Sequence, residues 1–188
     1  LLIGSIALYM IAHMVQQANS RHLRTLAELN AVTYGDNMIA DLYAGISITD
    51  TLEQLLISAD GRIDKFDTIA DRMMADYVQS IQLAPGGVVT DIYSTEGSEA
   101  GKIDLIHDKD RGEIVNYGID HDLLVIHGPF ELKQGGYGIA IRNPVFLQDE
   151  NGNSYFWGLT IVIIKAPEIF RDSVDSLSGF GYQYRLSK

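Results

Sequence analysis

The sequence predicts an α+β domain, with helices first and a five-stranded antiparallel sheet after them. Apolar residues recur at three- and four-residue spacing through about the first 76 positions. After Tyr77 the period changes to alternation, and glycine-bearing turns separate the alternating stretches.

Leu1 to Val15 is apolar apart from Gly4, Ser5, Tyr9 and His13, yet shorter than the roughly 20 residues a spanning helix needs. Two readings fit it: the outer end of a truncated transmembrane helix, or an amphipathic helix packed on a partner. The chain opens on Leu1 and not on Met, so a longer protein is expected. No basic stretch precedes the run and no small-residue cleavage site follows it, which disfavours a signal peptide.

Residues 16 to 47 keep the helical spacing through Leu23, Leu26, Leu29, Ile39, Leu42 and Ile46. Joined to the first segment they make a rod of roughly 60 to 70 Å at about 1.5 Å per residue. Such a rod outruns a domain of this size, and a second copy of the same helix is its simplest partner. Gly35, Asp36 and Asn37 interrupt the heptads. Thr49 or Asp50 is then expected to cap a new helix that buries Leu52, Leu55, Leu56 and Ile57 and ends at Asp60-Gly61. Another helix is expected from Ile63 to Asp76, with Phe66, Ile69, Ala70, Met73 and Met74 as core.

Val78 to Leu83 and Val88 to Tyr93 read as a hairpin around Ala84-Pro85-Gly86-Gly87. Ser94 to Asp110 is polar and acidic, as in a loop, and Arg111 to Asp120 is weakly helical. Three further strands follow at Leu123 to Ile126, Tyr137 to Ile141 and Tyr155 to Ile164, the last preceded by an Asn151-Gly152 turn. Pro167 to Leu177 reads as a helix, and Tyr182 to Leu186 alternates like a strand whose neighbour would lie further along the chain.

A net charge of -11 over 188 residues disfavours nucleic acid and anionic lipid as partners. With no cysteine, disulfides, thiolate metal sites and cysteine nucleophiles are excluded. Asp104, Asp108, Asp110 and Glu113 surround His107, but the spacing matches no calcium loop, and a solvated acidic loop is expected. His107, His121 and His127 form no ligand spacing, and no metal or cofactor is expected. Gly135-Gly136-Tyr137-Gly138 links strands and opens no helix, so it reads as a turn and not a phosphate cradle. No serine sits in a nucleophile elbow, and nothing supports an enzyme in this segment.

One stretch is more specific. His127-Gly128-Pro129-Phe130-Glu131-Leu132-Lys133-Gln134-Gly135-Gly136-Tyr137-Gly138, continuing through Ile141-Arg142-Asn143-Pro144-Val145-Phe146, closely resembles the signature of CHASE domains. These are extracellular sensory modules of receptor histidine kinases and of diguanylate and adenylate cyclases. Asp64-Lys65-Phe66, Ser80 to Pro85, Tyr93, Asp110-Arg111 and Phe156-Trp157-Gly158 agree in order.

The resemblance implies a long N-terminal stalk helix followed by a PAS-like domain that cups a small ligand. It divides the chain into the end of a transmembrane helix (1–15), a stalk (16–47), the sensor (48–170), and a connector leading into a membrane-proximal unit (171–188). It further implies a membrane-anchored homodimer with this domain periplasmic or extracellular and a cytoplasmic cyclase or kinase output. A ligand-free dimerisation or partner-sensing ectodomain is the alternative.

The family's plant hormone receptors hold an adenine-type ligand at positions matching Asp110, Lys133 and Arg142. Arg142 replaces a small hydroxyl there, and His127 stands where Ser or Thr is usual. The departures suggest an anionic ligand between the sheet and the 94–110 loop. Arg142 either grips such a ligand or pairs internally with Asp108 or Asp110. Leu83, Tyr93, Phe130 and Tyr137 are expected to supply apolar walls, and the ligand-binding set is Leu83, Tyr93, Asp110, His127, Phe130, Lys133, Tyr137 and Arg142.

Overall fold

The computed structural model describes residues 2–94, 103–132, 135–166 and 168–181, with side chains from Tyr9 onward. The chain divides into two compact units, residues 1–40 with 171–188, and residues 41–170.

Helix α1 runs without a break over Leu2–Ser58, so residues 48–58 continue a helix that the sequence reading had started afresh. The expected cap at Thr49 fails for a local reason. Its hydroxyl donates back to the Ile46 carbonyl at 2.7 Å, and Thr51 does the same to Ser47 at 2.7 Å, so both satisfy themselves inside the helix. Gly35 stays helical as well. A lone glycine costs a helix only about 1 kcal/mol, too little to stop it.

In the first unit, α1 up to Ala40 is joined by α4 (Arg171–Gly179), where Ser173 and Leu177 are buried. The Tyr34 and Phe180 rings lie 6.3 Å apart. The strand expected at Tyr182 to Leu186 lies outside the described residues.

The second unit holds α2 (Phe66–Met73), β1 (Val78–Pro85), β2 (Val88–Val89), β3 (Asp91–Ser94), β4 (Ile103–Asp104), α3 (Gly112–His121), β5 (Val125–Glu131), β6 (Tyr137–Gln148) and β7 (Ser154–Ala166). A 3-10 turn over Glu168–Phe170 follows. Five strands form one antiparallel sheet in the order β3-β1-β7-β6-β5. Numbered within that sheet alone, the order is 2-1-5-4-3, the PAS arrangement. The expected hairpin partner of β1 is split at Thr90: β3 pairs with β1, while β2 leaves to pair with β4.

β6 and β7 are the longest strands and join at a turn held by Asp149, whose carboxylate accepts the amides of Asn151 and Asn153, both at 2.8 Å. These bonds hold its acid below the usual carboxylate range. Gly135 and Gly136, at φ 90° and 79°, turn β5 into β6 through the left-handed region that glycine enters without strain.

The central strands are buried on both faces. Residues 158–162 of β7 are all buried, which requires cover above and below. The C-terminal part of α1 covers one face: a side chain at Gly45 would meet Ile141 at 2.7 Å, and Leu52 and Leu56 are fully buried. Two polar contacts fix it there, from the Thr160 hydroxyl to the Thr49 carbonyl (3.2 Å) and from the Asn143 amide to the Glu53 carboxylate (2.8 Å). On the other face, Val115 of α3, Val89 and Leu105 pack with Ala84, Leu159 and Ile161.

Replacing Leu52 with Ala removes a side chain at the centre of the first interface and is expected to destabilise the protein by about 2 to 5 kcal/mol. Urea denaturation checks this, and an unchanged midpoint would mean that the Leu52 stripe does not seat α1 on the sheet.

Candidate ligand-binding face

Register decides which side chains share a surface. One row across all five strands reads Ile92, Gln82, Ile161, Arg142, Val125, and the next reads Ser94, Ser80, Ile163, Ala140, His127. Both rows lie on the face that α3 covers. Rows of the opposite face include Tyr93, Ile81, Val162, Ile141, Ile126 and, beside it, Leu83, Thr160, Asn143.

Arg142 is 3% exposed, and its Nε and Nη1 atoms have no hydrogen-bond partner among the described residues. Burial pulls the guanidinium below its ordinary value to about 10; the Arg111 cation adds to the fall and Asp108 opposes it. Buried cations are normally paired. This one faces charged neighbours without an ion pair among the described residues.

Those neighbours come from the approach to α3. Asp108 Oδ1 accepts the amides of Asp110 (3.0 Å) and Arg111 (2.9 Å), an Asx turn that leads into the helix. Arg111 occupies the N-cap position and makes no side-chain cap bond. α3 lies against β5 and β6, and its Gly118 permits the approach: a side chain there would sit 2.8 Å from both the Leu123 carbonyl and Val125. Nearby, His107 Nδ1 and Asp104 Oδ2 are 2.8 Å apart at the surface. The amide and ring of His107 together lower the Asp104 acid.

Of the eight residues singled out from the sequence, Arg142, His127 and Phe130 lie on the α3-covered face. The His127 and Phe130 rings stack with centroids 6.1 Å apart. Asp110 is exposed on the turn before α3. Leu83, Tyr93 and Tyr137 are on the opposite face, so the apolar wall expected from them is not beside Arg142. Leu83 is buried there, and the Tyr93 hydroxyl donates to the Asp71 carboxylate of α2, a bond that raises its pKa. Lys133 lies outside the described residues, as do residues 95–102 of the 94–110 loop.

Sequence reasoning missed Ser94, whose buried Oγ has no partner among the described residues. It also missed Ser80 and Gln82, linked by a 2.8 Å hydrogen bond on the same face. Polar residues at alternate positions of an otherwise apolar strand were the available signal. Arg111 carried a signal too, in the Asp108-x-Asp110-Arg111 turn chemistry at a helix start. A separate cavity of about 380 Å³, between Leu55 and Ser58 of α1 and Ile69 of α2, shares no lining residue with this face.

No family model matches the chain, and no curated protein matches it. Among solved structures, the extracellular ligand binding receptor from Desulfohalobium retbaense DSM5692 is similar in fold, with a TM-score of 0.59 and 15% sequence identity. The match covers 78% of this chain and 26% of that one, so this chain spans about a quarter of that receptor chain.

An unpartnered buried cation weakens a fold, and the sign of its removal is testable. The guanidinium stays charged below about pH 10, so the penalty is fully present at pH 7 and is relieved only as pH rises above about 10. Arg142→Met is expected to stabilise the ligand-free protein by about 1 to 3 kcal/mol at pH 7. Denaturant midpoints check this; a less stable variant would show that Arg142 is satisfied internally.

Proposed function

We propose that this chain is the extracytoplasmic sensing domain of a membrane-anchored receptor, and that it binds a small anionic molecule on the sheet face beneath α3. The observation that carries the reading is the Arg142 guanidinium, buried in the sheet with donors that nothing among the described residues takes. Evolution retains a destabilising buried charge most readily where a ligand completes it. His127, Phe130 and Ser94 share that face and would flank the ligand. The PAS arrangement, and a fold neighbour described as an extracellular ligand binding receptor, support sensing over catalysis.

The finer parts of the reading rest on the sequence. Membership of the CHASE family rests on the His127 to Phe146 stretch, and a cyclase or kinase output rests on that resemblance. Among the described residues no helix is long and apolar enough to cross a membrane, and anchorage rests on the apolar character of Leu1 to Val15. A homodimer is supported by exposed apolar side chains on the N-terminal part of α1, among them Ile11, Val15, Leu29, Val32 and Ile39. Those same side chains favour the second reading, an ectodomain that senses a protein partner.

Thermal denaturation against a library of anionic metabolites tests the proposal. A ligand present at a hundred times its dissociation constant is expected to add about 2.7 kcal/mol of stability, and Arg142→Ala to remove that gain. If no compound shifts the transition, the partner reading replaces this one.

A further inference from the structure

Arg142 does not stand alone beneath α3. The residue at the α3 N-cap is itself an arginine, Arg111, half-buried, and its charge opposes that of Arg142. Two guanidinium groups, one from the sheet and one from the helix start, lie on one side of the sheet with one carboxylate, Asp108: Val115 of α3 packs in the same cluster as Ile161, the cross-strand neighbour of Arg142. That carboxylate is already engaged, because Oδ1 accepts two backbone amides. The other acids of the segment, Asp110 and Glu113, are exposed. Two cations against one acid leave a surplus of one positive charge. The N-terminus of α3, a ten-residue helix whose N-cap side chain makes no cap bond, adds about half a charge more.

We propose that the ligand is a dianion, a phosphate or a dicarboxylate, held between the buried Arg142 guanidinium and the N-terminal turn of α3, with Arg111 as the residue that selects two negative charges over one. The inference rests on the sensing reading above and deepens it. A guanidinium is a planar fork that fills both oxygens of one carboxylate. A monocarboxylate thus satisfies Arg142 and leaves Arg111 repelled. Phosphate, with several charged oxygens, or a dicarboxylate, with two separate heads, offers a fork's worth of acceptors to each arginine. The helix amides add donors to the same anion.

Calorimetric titration of the 188-residue chain at pH 8 and constant ionic strength, with inorganic phosphate, succinate and acetate as probes, tests this. At least one dianion is expected to bind tenfold or more tightly than acetate, and whether it is phosphate or succinate identifies the source. Arg111→Gln is expected to shrink that ratio to about threefold or less, and Arg111→Lys, which keeps the charge, to retain most of it. Equal binding of acetate and the dianions, or a ratio that survives Arg111→Gln, overturns the dianion inference while leaving anion sensing in place. Binding of none of the three, together with a library in which only neutral compounds stabilise the protein, overturns both the inference and the role given to Arg142. Arg142→Met serves as the folded control that must lose dianion binding.

Discussion

The architecture turns on a sheet whose central strands are apolar on both sides. β7 presents Leu159 and Ile161 to one face and Thr160 and Val162 to the other, all buried. Neither face tolerates water, so both must be covered, and different elements meet the two demands. α1 lies on one face through a glycine contact, two fully buried leucines and two polar contacts. α3 and the short β2-β4 pair cover the other. Arg142 belongs to the second face, and its burial follows from the cover that the apolar residues around it require.

This division explains why the unusual chemistry gathers on one side. The α1 face satisfies its polar groups: Thr160 and Asn143 each find an acceptor on the helix. The α3 face keeps unpartnered donors at Arg142 and an unpartnered hydroxyl at Ser94 among the described residues. A protein interior pairs nearly all of its buried polar groups, so an excess on one surface of one sheet is a local property and not general looseness.

Much of the fold was legible in the sequence. Strands announce themselves by alternation and by turn residues, and four of the five expected strands overlap strands of the sheet, with β5 and β6 running further than the pattern indicated, while the expected Val88 to Tyr93 strand is split and only its second half joins the sheet. The start at Thr49 misled because cap formers also bond back within a helix, and only tertiary packing decides between the two. Less of the site was legible. Arg142 stood out because a long cation stands where the signature that this stretch resembles has a small hydroxyl. Tyr137 is five positions away on the same strand, and an odd separation puts two side chains on opposite faces, so that separation follows from counting alone. For Leu83 and Tyr93 the face depends on register between strands far apart in the chain, which no local pattern encodes. The meeting of Arg111 with Arg142 likewise depends on where a helix lands.

Adjacent residues of a pleated strand look in opposite directions, and β6 uses this at its most polar point. Arg142 faces the α3 side while Asn143, the next residue, holds Glu53 of α1 through the back of the sheet. The two side chains hang from one stiff segment of backbone, like the two ends of a short lever whose fulcrum is the peptide plane between them. The sheet thus ties the unpartnered guanidinium on one face to a hydrogen bond with α1 on the other across a single peptide unit.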